Sequence, residues 1–430
     1  MKNVTDTKKI FFWNMTGSLI SALASVVLLM LVTRFLDNAD ADIFSLAFSI
    51  SYMFMTISSF QVRVFQSTDI VEKYSFKDYF HFRIFTCTLM LVTSIVYVAA
   101  NGYTGEKALV VLLLGIFRIA DAIADVYEGN FQQKERLDIA GKSLTYRFLT
   151  ATVLFGISVW LTGSLIVGCI ILIVVTFATI LLYDHRMNKE LFVLRSHDNE
   201  AKHIIHICKE LFMKCFPIFL DGFLIIAIFN IPKTVIDKAI TGGIMPEGHL
   251  AYYNIIFMPA STINLLFILL RPLITKMAIL LKENKLKQMM DIICKMVLGV
   301  IGCTLVATAV CYLIGIPVLN LFYGKDISPF KTELIILVAA GGVSTLATLC
   351  DNIITILRRQ KYLVAAYIVS IIVTYVVCEP MLIEYGMLGA AFTFAISMIC
   401  LFAISAVILI TVLYRVVAKC RKQYPEMEKE

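Results

Sequence analysis

Charge is scarce in this chain. Only 16% of its 430 residues are Asp, Glu, Lys or Arg, where a soluble domain carries about 25%. A single soluble core of that size is excluded, because such cores stop growing and split into domains. Proline is thin too, at 9 residues, and there are 2 tryptophans. The 11 cysteines form no C-x-x-C pair. Seven of them (Cys87, Cys169, Cys303, Cys311, Cys350, Cys378, Cys400) fall in apolar runs and the rest near basic loops, which argues against a disulfide framework and for reduced packing residues. What is abundant is hydrophobic side chain, 59% of the total. The bilayer is the solvent that this composition suits.

Crossing about 30 Å of hydrocarbon takes roughly 20 helical residues. Apolar runs of that length cover 11–35, 41–64, 79–101, 107–128, 143–162, 163–183, 211–231, 250–272, 292–314, 333–356, 362–383 and 387–414, giving twelve expected spans. The 143–183 stretch divides only at Thr162-Gly163-Ser164. The first run follows Lys8 and Lys9 as a leader's would, but its A-x-A-like site, Ala22-Leu23-Ala24, lies mid-run, so an uncleaved first span is expected. With both termini inside, 31 of the 38 Lys and Arg fall on the cytoplasmic side. Six (Arg34, Lys107, Lys233, Lys238, Lys325, Lys331) fall outside, and Arg118 lies mid-span. A wrong span count would scramble that asymmetry, so the positive-inside rule supports both count and orientation. No outer loop is expected to exceed the stretch 232–249, so the work happens within or between the helical bundles.

The longest polar break, 184–210, divides the spans six and six. The expected organisation is an N-terminal lobe over 1–190, a cytoplasmic linker over 191–210 and a C-terminal lobe over 211–430. Even halves both start from the cytoplasm, as in parallel repeats about an axis normal to the membrane. Short echoes agree: Asp125 precedes Gln133-Lys134 as Asp351 precedes Gln360-Lys361, and Arg63 and Arg271 close the second and eighth spans.

Ionisable groups at membrane depth are costly and mark candidate sites. Arg118, Asp121, Asp125 and Glu128 recur at helical spacing on one stripe of the fourth span. Two readings are open: a self-neutralising Arg118–Asp121 pair packed in the bundle, or a polar stripe lining a wet cavity. Asp221 sits four residues after Pro217, and Pro217 and Pro232 bracket the seventh span, as Met258-Pro259 and Arg271-Pro272 mark the eighth; either breaks for gating or ordinary kinks are expected there. Asp351 and Glu379 lie near span ends, where snorkelling to the interface is the alternative to ion coupling. Arg34, Arg63, Arg118, Lys233 and Arg271 are the basic residues suited to holding a phosphate, since a guanidinium donates two parallel hydrogen bonds. For Arg63 and Arg271 the positive-inside rule alone is the competing account.

Several motif fragments fail. Ala140-Gly141-Lys142-Ser143 ends like a phosphate-binding loop, but Arg136 occupies the leading glycine position. Asp40-Ala41-Asp42 falls in a short outer turn without a transferase domain. Asp121-x-x-x-Asp125 has no second acidic cluster to complete a prenyltransferase site. His203-x-x-His206 has no third ligand. No cofactor, metal or nucleic-acid signature is present.

Longer strings carry a resemblance. Phe11-Phe12-Trp13-Asn14-Met15-Thr16-Gly17-Ser18, Thr33-Arg34-Phe35-Leu36, Val62-Arg63-Val64-Phe65-Gln66-Ser67-Thr68-Asp69, Tyr127-Glu128-Gly129 with Gln132-Gln133 and Arg136-Leu137-Asp138-Ile139-Ala140-Gly141-Lys142, Asn230-Ile231-Pro232-Lys233 and Met258-Pro259-Ala260 resemble polysaccharide flippases of bacterial surface-glycan clusters, chiefly Gram-positive ones. These belong to the multidrug/oligosaccharidyl-lipid/polysaccharide exporter superfamily, which also holds lipid II flippases and multidrug extruders. The resemblance implies an all-α integral membrane protein of twelve transmembrane helices in two pseudo-symmetric six-helix lobes, V-shaped and working by alternating access in the bacterial cytoplasmic membrane. It implies a substrate, an undecaprenyl-diphosphate-linked oligosaccharide, moved from the inner to the outer leaflet. By position Arg34, Arg63 and Arg271 are similar to the family's diphosphate-engaging arginines. Coupling to H+ or Na+ at an acid such as Asp121, Asp125, Asp221 or Asp351, or drive by membrane potential, is left open. Expected partners are membrane lipids and the glycan polymerase and glycosyltransferases of the same pathway, around a monomer. The alternatives are a cation-coupled multidrug extruder of the same fold and, from another class, a membrane glycan polymerase or prenyltransferase.

Overall fold

The computed structural model describes residues 4–69, 73–191, 201–263, 273–274, 276–277, 279–281, 283, 285–357 and 359–423. Among them the fold is all-helical. Ten helices are long and apolar enough to cross a membrane. The other two expected spans are also met by helices. One carries the charges of the fourth span, and only the first part of the eighth lies in the described residues. The chain forms two compact units, the first ending at Ile226 and the second beginning at Ala227.

The first unit comprises α1 (Val4–Phe35), α2 (Asn38–Ser59), α3 (Val62–Thr68), α4 (Phe76–Ala100), α5 (Gly105–Gln133), α6 (Leu137–Thr162), α7 (Leu165–Thr179), α8 (Arg186–Leu191) and the first half of α9 (Ala201–Thr241). Local chemistry sets the ends. Asp37 caps α2 by accepting the Asp40 N–H at 2.8 Å, so the Asp40–Asp42 pair, expected in a turn, starts a helix instead. Ser75 and Asp78 make a capping box for α4. The break after Thr162 is where the sequence places it: Gly163 closes α6 with φ +60° and Ser164 caps α7.

Helix α1 lies along α6, their most intimate contact being glycine on backbone. A Cβ on Gly141 would stand 2.2 Å from the Trp13 carbonyl oxygen, and one on Gly17 would stand 2.4 Å from that of Gly141. The phosphate-loop fragment Ala140–Ser143 is therefore a helix-packing surface. Helix α5 is the centre of the unit, packed by α2, α3, α4, α6 and α7.

The second expected span is not one helix. Phe60 and Gln61 both adopt left-handed backbone (φ 46° and 56°), which separates α2 from α3. Side chains with a Cβ resist that conformation. Packing holds it: the Phe60 ring stacks on Phe219 at 4.4 Å and Phe212 at 4.9 Å, both from α9. The carbonyl of Ser58 freed near the break accepts from Thr86 Oγ1 at 2.7 Å and from the Arg83 guanidinium. Conversely, α9 runs without a break through Pro217 and Pro232, where interruptions were one expectation. Single π-helical turns appear instead at Ile180–His185 and Cys311–Gly315.

The second unit comprises the rest of α9, α10 (His249–Ile263), α11 (Leu286–Val310), α12 (Ile316–Tyr323), α13 (Lys331–Ile356), α14 (Leu363–Tyr385) and α15 (Met387–Gln423). Here α13 is central, packed by α10, α11 and α15, with α14 against α15. Gly341 permits the close crossing of α13 and α10, since a Cβ there would stand 2.6 Å from the Ala260 carbonyl oxygen. Large aliphatic side chains such as Leu161, Leu182 and Leu321 are 68%, 75% and 79% exposed. Surfaces so apolar belong against lipid.

Candidate functional site

Three of the charges in the inner half of α5, Arg118, Asp121 and Glu128, are buried. Arg118 Nη1 donates to Asp121 at 2.9 Å, its Nε donates to Ser51 Oγ at 3.2 Å, and the guanidinium carbon lies 3.9 Å from the Tyr52 ring centre. The residue is 2% exposed. The remaining charge of the stripe, Asp125, has a side chain 18% exposed. Other helices bring counter-charges to the stripe.

Those counter-charges are three further arginines. Glu128, itself buried, divides its carboxylate: Oε1 accepts from Arg147 Nη2 of α6 at 2.8 Å, and Oε2 from Arg63 Nη1 of α3 at 2.6 Å. Asp125 likewise accepts from Arg63 at 3.3 Å and from Arg83 Nη2 of α4 at 2.8 Å. Arg147 also stands 3.5 Å from Asp121 and 3.9 Å from Asp184, the latter carried by the π turn after α7. Four arginines (Arg63, Arg83, Arg118, Arg147) thus meet four carboxylates (Asp121, Asp125, Glu128, Asp184), and their formal charges cancel. Isolated ions at such depth would cost several kcal/mol each, and mutual attraction within the cross-linked network offsets part of that.

Arg63 differs from the other three. Its side chain is 28% exposed, against 0% for Arg83, 2% for Arg118 and 4% for Arg147. The helix break at Phe60-Gln61 starts α3 and with it the position of Arg63. Gln66 Nε2, one turn on, donates to the Val126 carbonyl at 3.2 Å. Gln132 Oε1 accepts from Arg63 Nε at 3.3 Å. The site therefore has three inner arginines committed to carboxylates and one at its margin.

By sequence position Arg83 and Arg147 count among the 31 cytoplasmic-side cations, and Asp184 opens the polar break 184–210. Two signals pointed elsewhere. Arg83 lies eight residues past the Ser75 cap, about 12 Å along the helix. And α5 carries three carboxylates at depth against a single arginine, which required cations from neighbouring helices.

The remaining candidates lie apart from this network. Arg34 is exposed at the end of α1. Asp221, on α9, is half-buried in the first unit. Lys233 is buried in the second unit, its Nζ 4.9 Å from the Phe257 ring centre. Asp351 is held by two hydroxyls: Ser405 Oγ donates at 3.0 Å, and Tyr367 Oη donates to the other oxygen. Arg271 lies outside the described residues. No group of three or more metal-ligating side chains occurs among the described residues.

This fold is that of membrane exporters. An inward-facing multidrug-resistance transporter of the MATE family, in the MOP superfamily, superposes with a TM-score of 0.70, covering 94% of this chain and 98% of that one at 13% identity. The lipid II flippase MurJ in an inward closed conformation superposes with a TM-score of 0.65, covering 96% and 90% at 12% identity. The chain belongs to the polysaccharide biosynthesis protein family, whose model matches residues 7–272. Capsular polysaccharide biosynthesis protein CapF of Staphylococcus aureus is 23% identical over 398 residues, 90% of this chain and 96% of that protein. The resemblance read from the sequence strings is thereby shown.

Proposed function

We propose that this protein is a flippase that carries an undecaprenyl-diphosphate-linked oligosaccharide from the inner to the outer leaflet, by alternating access of an N-terminal lobe (1–190) and a C-terminal lobe (211–430). Membership of the polysaccharide biosynthesis family supports transport of a glycan intermediate, and the likeness to MurJ and MATE proteins supports a translocating fold. The observation that carries the reading is Arg63, a guanidinium at the exposed margin of a buried, charge-balanced network. A sugar head cannot cross hydrocarbon unaided, but a fixed cation along the way lowers the barrier for its diphosphate. In this reading Arg63 and Arg271 engage the diphosphate, with Arg34 on the outer side. Arg118 and Lys233 are only 2% and 9% exposed, so they reach a headgroup only when their bundles open. Asp221 and Asp351 are the acids left for H+ or Na+ coupling, since Asp121 and Asp125 are engaged by arginines.

The test is glycan display in a strain whose own copy is deleted. Arg63→Ala combined with Arg271→Ala is expected to abolish display at normal membrane abundance, while Arg63→Lys restores part of it. Full display with both alanines present removes the assignment. The MATE likeness keeps one rival in view, a cation-coupled multidrug extruder; unchanged glycan together with raised drug sensitivity in the deletion strain selects it instead.

A further inference from the structure

The joint between α2 and α3 stores backbone strain. Phe60 and Gln61 are consecutive left-handed residues, neither of them glycine, and such residues persist only where the surroundings over-determine them. One face of α9 does so. Phe212 and Phe219 stack on Phe60 at interplanar angles of 29° and 12°, and Leu211 and Cys215 fill in beside it. Gly222, three residues past Phe219, leaves the space that Gln61 takes: a Cβ there would stand 3.3 Å from Gln61 Nε2. Helical spacing puts 212, 219 and 222 on one stripe.

What the joint decides is the course of α3. Ser51 of α2 meets Arg118 of α5, and twelve residues later Arg63 meets Asp125 and Glu128, seven and ten residues further along α5. Up to there the two helices advance together. Gln66 then donates to Val126 instead of moving on, although three more residues of helix would have advanced about 4.5 Å. Gly129 seats it, since a Cβ there would collide with Gln66 Oε1. The same turn frees the Ser58 carbonyl for Thr86 and Arg83, where a continuous helix would give it to the Val62 N–H.

We infer that Phe212 and Phe219 are positioning residues for Arg63. Their rings hold the left-handed joint; without them α2 and α3 join into one straight helix, and Arg63 leaves Glu128 and Asp125. Helix α9 continues past Ile226 into the second unit, so whatever shifts α9 shifts the joint. The joint stands apart from any transport activity, while its consequence for export rests on the flippase reading of Arg63.

Amide hydrogen exchange of the purified protein in detergent reads the joint. In the bent form no side chain caps the start of α3; in the straight form the Val62 and Arg63 amides gain carbonyl partners four residues back. Phe212→Ala with Phe219→Ala is expected to slow their exchange about tenfold, the contribution of one backbone hydrogen bond. Gln61→Val, which leaves α9 intact, is expected to do the same, because a β-branched residue resists the left-handed region. Gln61→Gly added to the alanine pair is expected to restore the parental rate, because glycine takes that backbone readily. A merely structural role for the rings predicts faster exchange and no rescue by glycine. Unchanged or faster exchange in either the alanine pair or Gln61→Val, provided it elutes as the parent does, or a glycine that reverses nothing, overturns the inference. Glycan display in the deletion strain is read on the same variants: intact display despite slowed exchange leaves the joint standing and removes Arg63 from the flippase reading.

Discussion

Replacing Glu128 by alanine removes the carboxylate that joins α3 to α6 through α5. Arg147, 4% exposed, loses its contact at 2.8 Å and keeps Asp121 at 3.5 Å and Asp184 at 3.9 Å. Removing one partner of a buried ion pair costs about 3–5 kcal/mol, because the other charge is left uncompensated. Arg63 adds little to that sum, being 28% exposed and still beside Asp125. A change of 1 kcal/mol moves Tm by about 2–4 °C in a domain of about 150–250 residues. The first unit ends at residue 226, so a fall of about 6–20 °C is expected on this scale. The assay is thermal unfolding of the purified protein in detergent, followed by size-exclusion chromatography. The triple variant Glu128→Ala with Arg147→Met and Asp184→Asn serves as the control: it removes the excess cation together with the carboxylate that only Arg147 faces among the ion pairs of the described residues, and buried pairs replaced by neutral groups are often near neutral. It is expected to unfold well above the single variant. A Glu128→Ala protein within about 2 °C of the parent refutes the claim that the network is held by mutual neutralisation.

Gly141→Ala is expected to destabilise by about 1–3 kcal/mol or more, because its methyl would stand 2.2 Å from the Trp13 carbonyl oxygen. Gly302→Ala, at a helix position with nothing within 4 Å, is expected instead to be neutral or to gain about 0.5–1 kcal/mol, and the same unfolding assay reads both. In the loop before α13, the Ser328 hydroxyl and N–H beside Asp326 hold its carboxyl below the ordinary carboxylate range. That order is fully present above the ordinary carboxylate pKa and is lost as pH falls through the lowered value. The protection of the Tyr323–Ser328 amides, taken relative to their intrinsic exchange at each pH, is therefore expected to fall in that acid window, and Asp326→Asn to remove that fall.

What the sequence determined by itself is the class of molecule. Apolar runs of spanning length, with Lys and Arg alternating between sides, leave an all-helical membrane protein as the answer, because hydrocarbon forces every backbone polar group to pair within its own segment. Local chemistry was equally legible: glycine at Gly163 and serine at Ser164 end one helix and cap the next, and both signals act within a turn. The quoted strings were enough for the family, since they are local in sequence.

The site was another matter. The stripe Arg118, Asp121, Asp125 and Glu128 could be read from spacing, but not what faces it. Arg83 and Arg147 look like ordinary interface cations until α4 and α6 turn them onto α5, and Asp184 reaches Arg147 only through a π turn that no residue pattern announces. The left-handed Phe60-Gln61 break is held by Phe212 and Phe219 from a helix about 150 residues downstream. Pairings between distant elements are set by packing, which depends on side chains brought together from across the chain. The sequence alone could find the charges; only the tertiary structure decided which of them neutralise one another and left Arg63 at the margin.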